Sequence, residues 1–134
     1  MTQTRPVHIP ADTPAWEEMN EPGRTRYRFC LLVDASGGPS AGLVHGIAEF
    51  DANAGFEALH RHNVAQTTHV LSGRGVATIG ARDFEVGPGD TFYAPAGTWH
   101  AWRAGDVPLR LFWSYPCDRF DEVQYEFAAP EGSL

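Results

Sequence analysis

A single all-β domain of sandwich or barrel type is predicted by three features of this 134-residue chain. Short runs of alternating apolar and polar residues recur at a spacing of roughly 8–12 residues. Clusters of Gly, Pro, Asn, Asp and Ser separate them, as turns require. The 14 Gly and 10 Pro fall at short intervals that favour many short strands over long helices. Residues 1–42 are read as an N-terminal segment with the first strands, 43–115 as the core, and 116–134 as an edge strand and tail.

Met1 to Asn20 is polar and Pro-rich. Asp12 to Glu18 reads as one helical turn with Asp12 or Thr13 as its N-cap, and Trp16 as a packing anchor. Glu21, Pro22 and Gly23 form a turn. From Arg24 to Val33 the side chains alternate, with Tyr27, Phe29, Leu31 and Val33 on one face and Arg26, Arg28, Cys30 and Leu32 on the other. Asp34 to Gly42 is a loop by composition. Leu43 to Phe50 is a strand, Asp51 to Gly55 a turn, and Phe56 to His62 leads into a histidine cluster. Further strands are expected at Thr67–Leu71, Val76–Ile79, Phe84–Val86, Thr91–Ala94, Thr98–Arg103 and Leu109–Tyr115. Between Asp118 and Phe127 the alternation of Val123, Tyr125 and Phe127 reads as an edge strand or a subunit contact.

The net charge of −7 argues against a nucleic-acid surface and an anionic membrane as partners. No apolar run approaches the roughly 20 residues of a membrane-spanning helix. The start lacks the apolar core of a signal peptide, so a cytoplasmic location is expected. Cys30 and Cys117 have no metal-binding spacing and read as reduced thiols.

Two stretches carry chemistry. In the first, His60 and His62 stand one residue apart, so on a strand both rings point the same way. Gln66 follows after a short bend. In the second, Pro95-Ala96-Gly97 precedes His100. If the two strands meet, three imidazoles and an amide oxygen converge on one point.

These stretches resemble the two motifs of the cupins. The first motif, G-x5-H-x-H-x(3,4)-E-x6-G, is matched by Gly55, His60, His62, Gln66 and Gly73. The second, G-x5-P-x-G-x2-H-x3-N, is matched by Gly89, Pro95, Gly97 and His100. The resemblance runs from Leu43 to Tyr115. There are three departures. Gly55 lies one residue closer to His60 than the motif asks, Gln66 stands in place of Glu, and Ala104 in place of Asn. The resemblance implies a conical β-barrel of the jelly-roll (double-stranded β-helix) type. It implies one divalent transition metal, iron, manganese, nickel or zinc, held by His60, His62, Gln66 and His100. It further implies a small-molecule substrate and a homodimer. With neutral Gln66 the metal keeps its full +2 charge, where the usual Glu would leave the site at about +1. That favours an anionic or enolisable oxygen ligand.

Strand parity extends the reading to the pocket. Thr68 and Val70 share parity with Gln66, and Trp102 with His100. Phe92 and Phe112 are expected in the same wall, and Arg28 at the pocket mouth. His69 has the opposite parity and is read outside the metal shell. Candidates for a general base are Tyr93, His45 and Glu49. The expected function is a metalloenzyme acting on a small oxygenated or anionic molecule, leaning by family analogy to Fe(II)-dependent dioxygenation. The alternatives are a redox-neutral lyase, isomerase or cyclase, and a non-catalytic binding or sensor module.

Overall fold

The computed structural model describes residues 4–19, 26–35 and 40–128. The turn expected at 21–23, the start of the strand expected from Arg24 and the centre of the 34–42 loop lie outside the described residues.

Eleven strands are formed among the described residues: β1 (Glu17–Met19), β2 (Tyr27–Val33), β3 (Val44–Phe50), β4 (His60–His62), β5 (Gln66–Ser72), β6 (Gly75–Ile79), β7 (Arg82–Val86), β8 (Thr91–Ala94), β9 (His100–Ala104), β10 (Leu109–Tyr115) and β11 (Tyr125–Phe127). They build a six-stranded sheet in the order β1-β2-β3-β10-β5-β8 and a five-stranded sheet in the order β11-β4-β9-β6-β7. Every pairing is antiparallel. This is the all-β single domain that the alternation predicts, in the two-sheet jelly-roll form that the resemblance implies. A single 3-10 turn, Phe120–Glu122, interrupts the tail.

Alternation decides which side chains enter the core. On β3, Val44, Gly46, Ala48 and Phe50 turn inward, while His45, Ile47 and Glu49 turn out. On β10, Leu109, Leu111, Trp113 and Tyr115 turn inward. Val44, Leu109 and Val70 are fully buried, each contributing about 1.5–3 kcal/mol through burial of its apolar surface. From the other sheet, Ala77, Val86 and Trp102 close the core. Gly46 is required by this packing. A Cβ there would meet a ring carbon of Trp113 at 2.1 Å, so only glycine lets that indole lie against β3.

Two expectations are corrected in the terminal segments. The stretch from Asp12 to Glu18 is no helical turn. Thr13 donates from both its backbone N–H and its hydroxyl to the Pro10 carbonyl, at 3.1 and 2.8 Å, and the chain then runs extended into β1. Pairing of β1 with β2 decides this, with Glu17 opposite Phe29. The C-terminal strand is shorter than expected. Val123 is buried in the core, and β11 becomes an edge of the five-stranded sheet beside β4.

No helix among the described residues is long and apolar enough to cross a membrane. Cys30 and Cys117 are both free thiols, the first buried, and burial raises the pKa of each.

Candidate functional site

The two histidine stretches meet by strand pairing. β4 lies antiparallel to β9, with His60 directly opposite His100. The turn before β9 is tied to the first stretch, because the Gly97 N–H donates to the His62 carbonyl at 2.9 Å. Gly97 has φ of +83°, a left-handed conformation that glycine adopts without strain. Gln66 opens β5 in the facing sheet, four residues after His62.

The three rings cluster. Ring centres lie 4.3 Å apart for His60 and His100, 4.9 Å for His62 and His100, and 6.2 Å for His60 and His62. All three and Gln66 are buried. Each ring is oriented in the same way. Nδ1 of His60 faces the Ala58 carbonyl at 2.8 Å, that of His62 the Val64 carbonyl at 2.7 Å, and that of His100 the Thr98 carbonyl at 2.9 Å. A carbonyl only accepts, so each Nδ1 carries the proton and each Nε2 presents a lone pair. Metal-binding histidines are commonly oriented by such a bond.

One Nε2 atom has no protein partner, and the contact of a second depends on how the Gln66 amide is turned. His100 Nε2 is buried without a hydrogen bond. His62 Nε2 faces Gln66 Oε1 at 2.9 Å, acceptor against acceptor. That contact is satisfied by the Gln66 amide turned to donate, or by a cation to which both atoms give a lone pair. Burial lowers the pKa of His100 to about 4, with nearby His62 adding to the depression and the Thr98 carbonyl opposing it. Its imidazole is therefore neutral at physiological pH, the form that ligates metal. Among the described residues no three His, Cys, Asp or Glu side chains already stand at ion-holding distance from one another. The donor set is nonetheless of the right kind, with neutral imidazoles beside an amide oxygen.

His60, Gln66 and His100 open onto a cavity of about 340 Å³ between the sheets. Its walls are aromatic: Tyr27, Phe29, Phe50 and Trp113 from the six-stranded sheet, and Trp102, Tyr125 and Phe127 from the other. Thr68 and Trp102, read as pocket residues, line it. Several other predicted positions lie elsewhere. Val70 is packed in the core, and Phe92 lies between Phe84, at a tilt, and Trp102, edge-on. Phe112 is on the outer face of its sheet, against His45 at 4.9 Å between ring centres. Arg28 is also on that face, 3.1 Å from Glu49 and stacked on Trp16.

Of the candidate bases, none borders the cavity. His45 and Glu49 have the outward parity of β3, and Tyr93 is 64% exposed. His69 faces outward as its parity predicts, bonded to the Thr91 hydroxyl at 2.8 Å. Of the acid groups that line the cavity, Glu17 and Glu57, the more buried is Glu57, with 13% of its side chain exposed and Oε1 4.0 Å from His60 Nδ1. Sequence reasoning missed it because it precedes β4 and belongs to no strand parity. It also missed Tyr115 and Tyr125, whose hydroxyls meet at 2.9 Å in the cavity. Burial raises the pKa of both, that of Tyr125 to about 12, and Glu57 adds to the rise.

Residues 46–115, half of the chain, match the family model described as a cupin domain. The chain belongs to the cupin family. An uncharacterized protein of Methanocaldococcus jannaschii, MJ1618, is 37% identical over 79 residues, which is 56% of this cupin and 63% of that protein. The chain thus spans less than two thirds of that relative. The polyketide cyclase RemF of Streptomyces resistomycificus superposes with a TM-score of 0.75 at 25% identity, covering 95% of this chain and 89% of RemF. The DMSP lyase DddQ of Ruegeria pomeroyi superposes at 0.72 with 24% identity, covering 90% of this chain and 64% of DddQ. One scaffold thus serves different reactions, so function must be argued from the cavity.

Proposed function

We propose that this cupin is a metalloenzyme that acts without net redox change on a flat, largely apolar molecule bearing an acidic or enolisable oxygen. The observation that carries the reading is the common orientation of three buried imidazoles. Each is held at Nδ1 by a backbone carbonyl, with Nε2 of His100 unpartnered and Nε2 of His62 on Gln66 Oε1. His60, His62, Gln66 and His100 would hold one divalent transition metal, which supplies Lewis-acid polarisation of a substrate oxygen. Aromatic walls would orient the ring system of the substrate, and Thr68 would border the reacting group. Glu57, close to His60, replaces Tyr93, His45 and Glu49 as the group placed to move a proton. The likeness to RemF supports cyclase-type chemistry over the iron-dependent dioxygenation expected from family analogy. A homodimer and a small-molecule substrate belong to the same reading.

Metal content and oxygen uptake test it. Protein purified without chelator should hold close to one metal ion per chain by mass spectrometry, and His100→Ala should hold less than about a tenth of that. Loaded protein should consume no O2 with catechol, thiol or diketone substrates. O2 uptake that depends on bound iron would return the weight to a dioxygenase. Metal absent from both proteins, and not taken up when added, would leave a binding module.

A further inference from the structure

The cavity has a second polar point that the histidine cluster does not use. Tyr115, on β10, and Tyr125, on β11, come from opposite sheets and join their hydroxyls at 2.9 Å. Both rings stand edge-on to His62, at 4.9 and 5.5 Å between centres. The register of β11 enforces this, because Tyr125 lies opposite His62 on β4. Tyr115 is 4% exposed, so its hydroxyl is held away from solvent. A hydroxyl pair has two protons and uses one within the pair. The other is left to donate to a neighbour. The wall also carries the apolar Phe29, Phe50 and Leu111 and the polar Tyr27, Glu57 and Thr68.

We propose that the Tyr115–Tyr125 hydroxyl pair is a second recognition point, donating a hydrogen bond to an oxygen of the ligand. The site then selects planar molecules with two oxygens, one for the histidine cluster and one for the tyrosines. Only the first of those contacts rests on the metalloenzyme reading. Tyr125 is carried on an edge strand, so the C-terminal segment contributes directly to ligand choice. β11 is clamped to β4 from outside by Arg61, whose Nε and Nη2 lie 2.9 and 2.8 Å from Glu126 Oε2.

Calorimetric titration of zinc-loaded protein with 4-nitrocatechol and 4-nitrophenol tests this. The two probes share a ring and differ by one oxygen, and zinc does not oxidise the catechol. Tyr125→Phe and Tyr115→Phe keep both rings and remove one hydroxyl each. The variant that removes the hydroxyl donating to the ligand should weaken 4-nitrocatechol by about tenfold, the effect of one lost buried hydrogen bond. Binding of 4-nitrophenol should stay within about twofold, since it lacks the second phenolic oxygen. Equal loss for both probes would mean a structural role only and overturn the proposal. So would unchanged binding of both, or no binding of either probe by the parent protein. Repeating the titrations without zinc separates the two ideas. If 4-nitrocatechol binds equally well without metal, the metal reading fails, while the tyrosine contact is still read from the phenylalanine variants.

Discussion

On the outer face of the six-stranded sheet, polar side chains bond mostly to one another. Arg28 meets Glu49 at 3.1 Å, Thr67 meets Ser114 at 2.6 Å, and His69 meets Thr91 at 2.8 Å. Trp16 lies over the sheet with the guanidinium groups of Arg28 and Arg110 at 4.5 and 5.6 Å from its ring. The barrel interior is arranged the other way. Its three clustered histidines are held from behind, at Nδ1, which leaves Nε2 for another partner. A buried polar group left unsatisfied costs roughly 1–3 kcal/mol, so such groups persist where something else binds them. The lesson is that partnering, rather than residue type, separates the two faces. His45 is an exception on the outer side. Its Nδ1 is buried without a bond, but it leans on Phe112, and burial lowers its pKa so that it stays neutral.

The contrast can be broken at several points. The largest effect concerns acid. Neutral His100 titrates near pH 4 in the folded metal-free protein, against 6.5 when unfolded. Between those values the unfolded chain binds more protons, so stability falls as pH drops through that window. About 3 kcal/mol is lost once pH is below 4. Urea midpoints from pH 7 to 4, compared between the parent and His100→Gln, should show a steeper fall in the parent. Parallel curves would place His100 among ordinary solvated histidines.

A smaller effect is expected at the cavity wall. Gly46→Ala forces the Trp113 ring away from β3 and should cost about 1–3 kcal/mol, read as a lower thermal midpoint together with weaker binding of 4-nitrophenol. An unchanged midpoint would show that the indole relocates freely. Smallest is the outer face. The Arg28 and Glu49 side chains are 39% and 23% exposed, and Glu49→Gln should change stability by less than about 1 kcal/mol. Metal content should be unaltered by Glu49→Gln. A fall in metal content would tie the outer face to the site after all.

The strand-rich class, the approximate position of most strands and the histidine cluster were legible in the amino-acid sequence. Those rest on local signals: period-two alternation, turn residues and the spacing of His60, His62, Gln66 and His100. Parity also placed Thr68 and Trp102 on the cavity side, because alternation along one strand is a local property. What lies across from what depends on the packed barrel. The outward phase of His45 and Glu49 follows from how β3 pairs with β2 and β10. The approach of Glu57 to His60 follows from the path of an irregular segment, which has no periodicity to read. The meeting of Tyr115 and Tyr125 needs β10 in one sheet and β11 in the other. Long-range register is a property of the whole packed barrel, where each pairing is chosen by the burial it allows its neighbours.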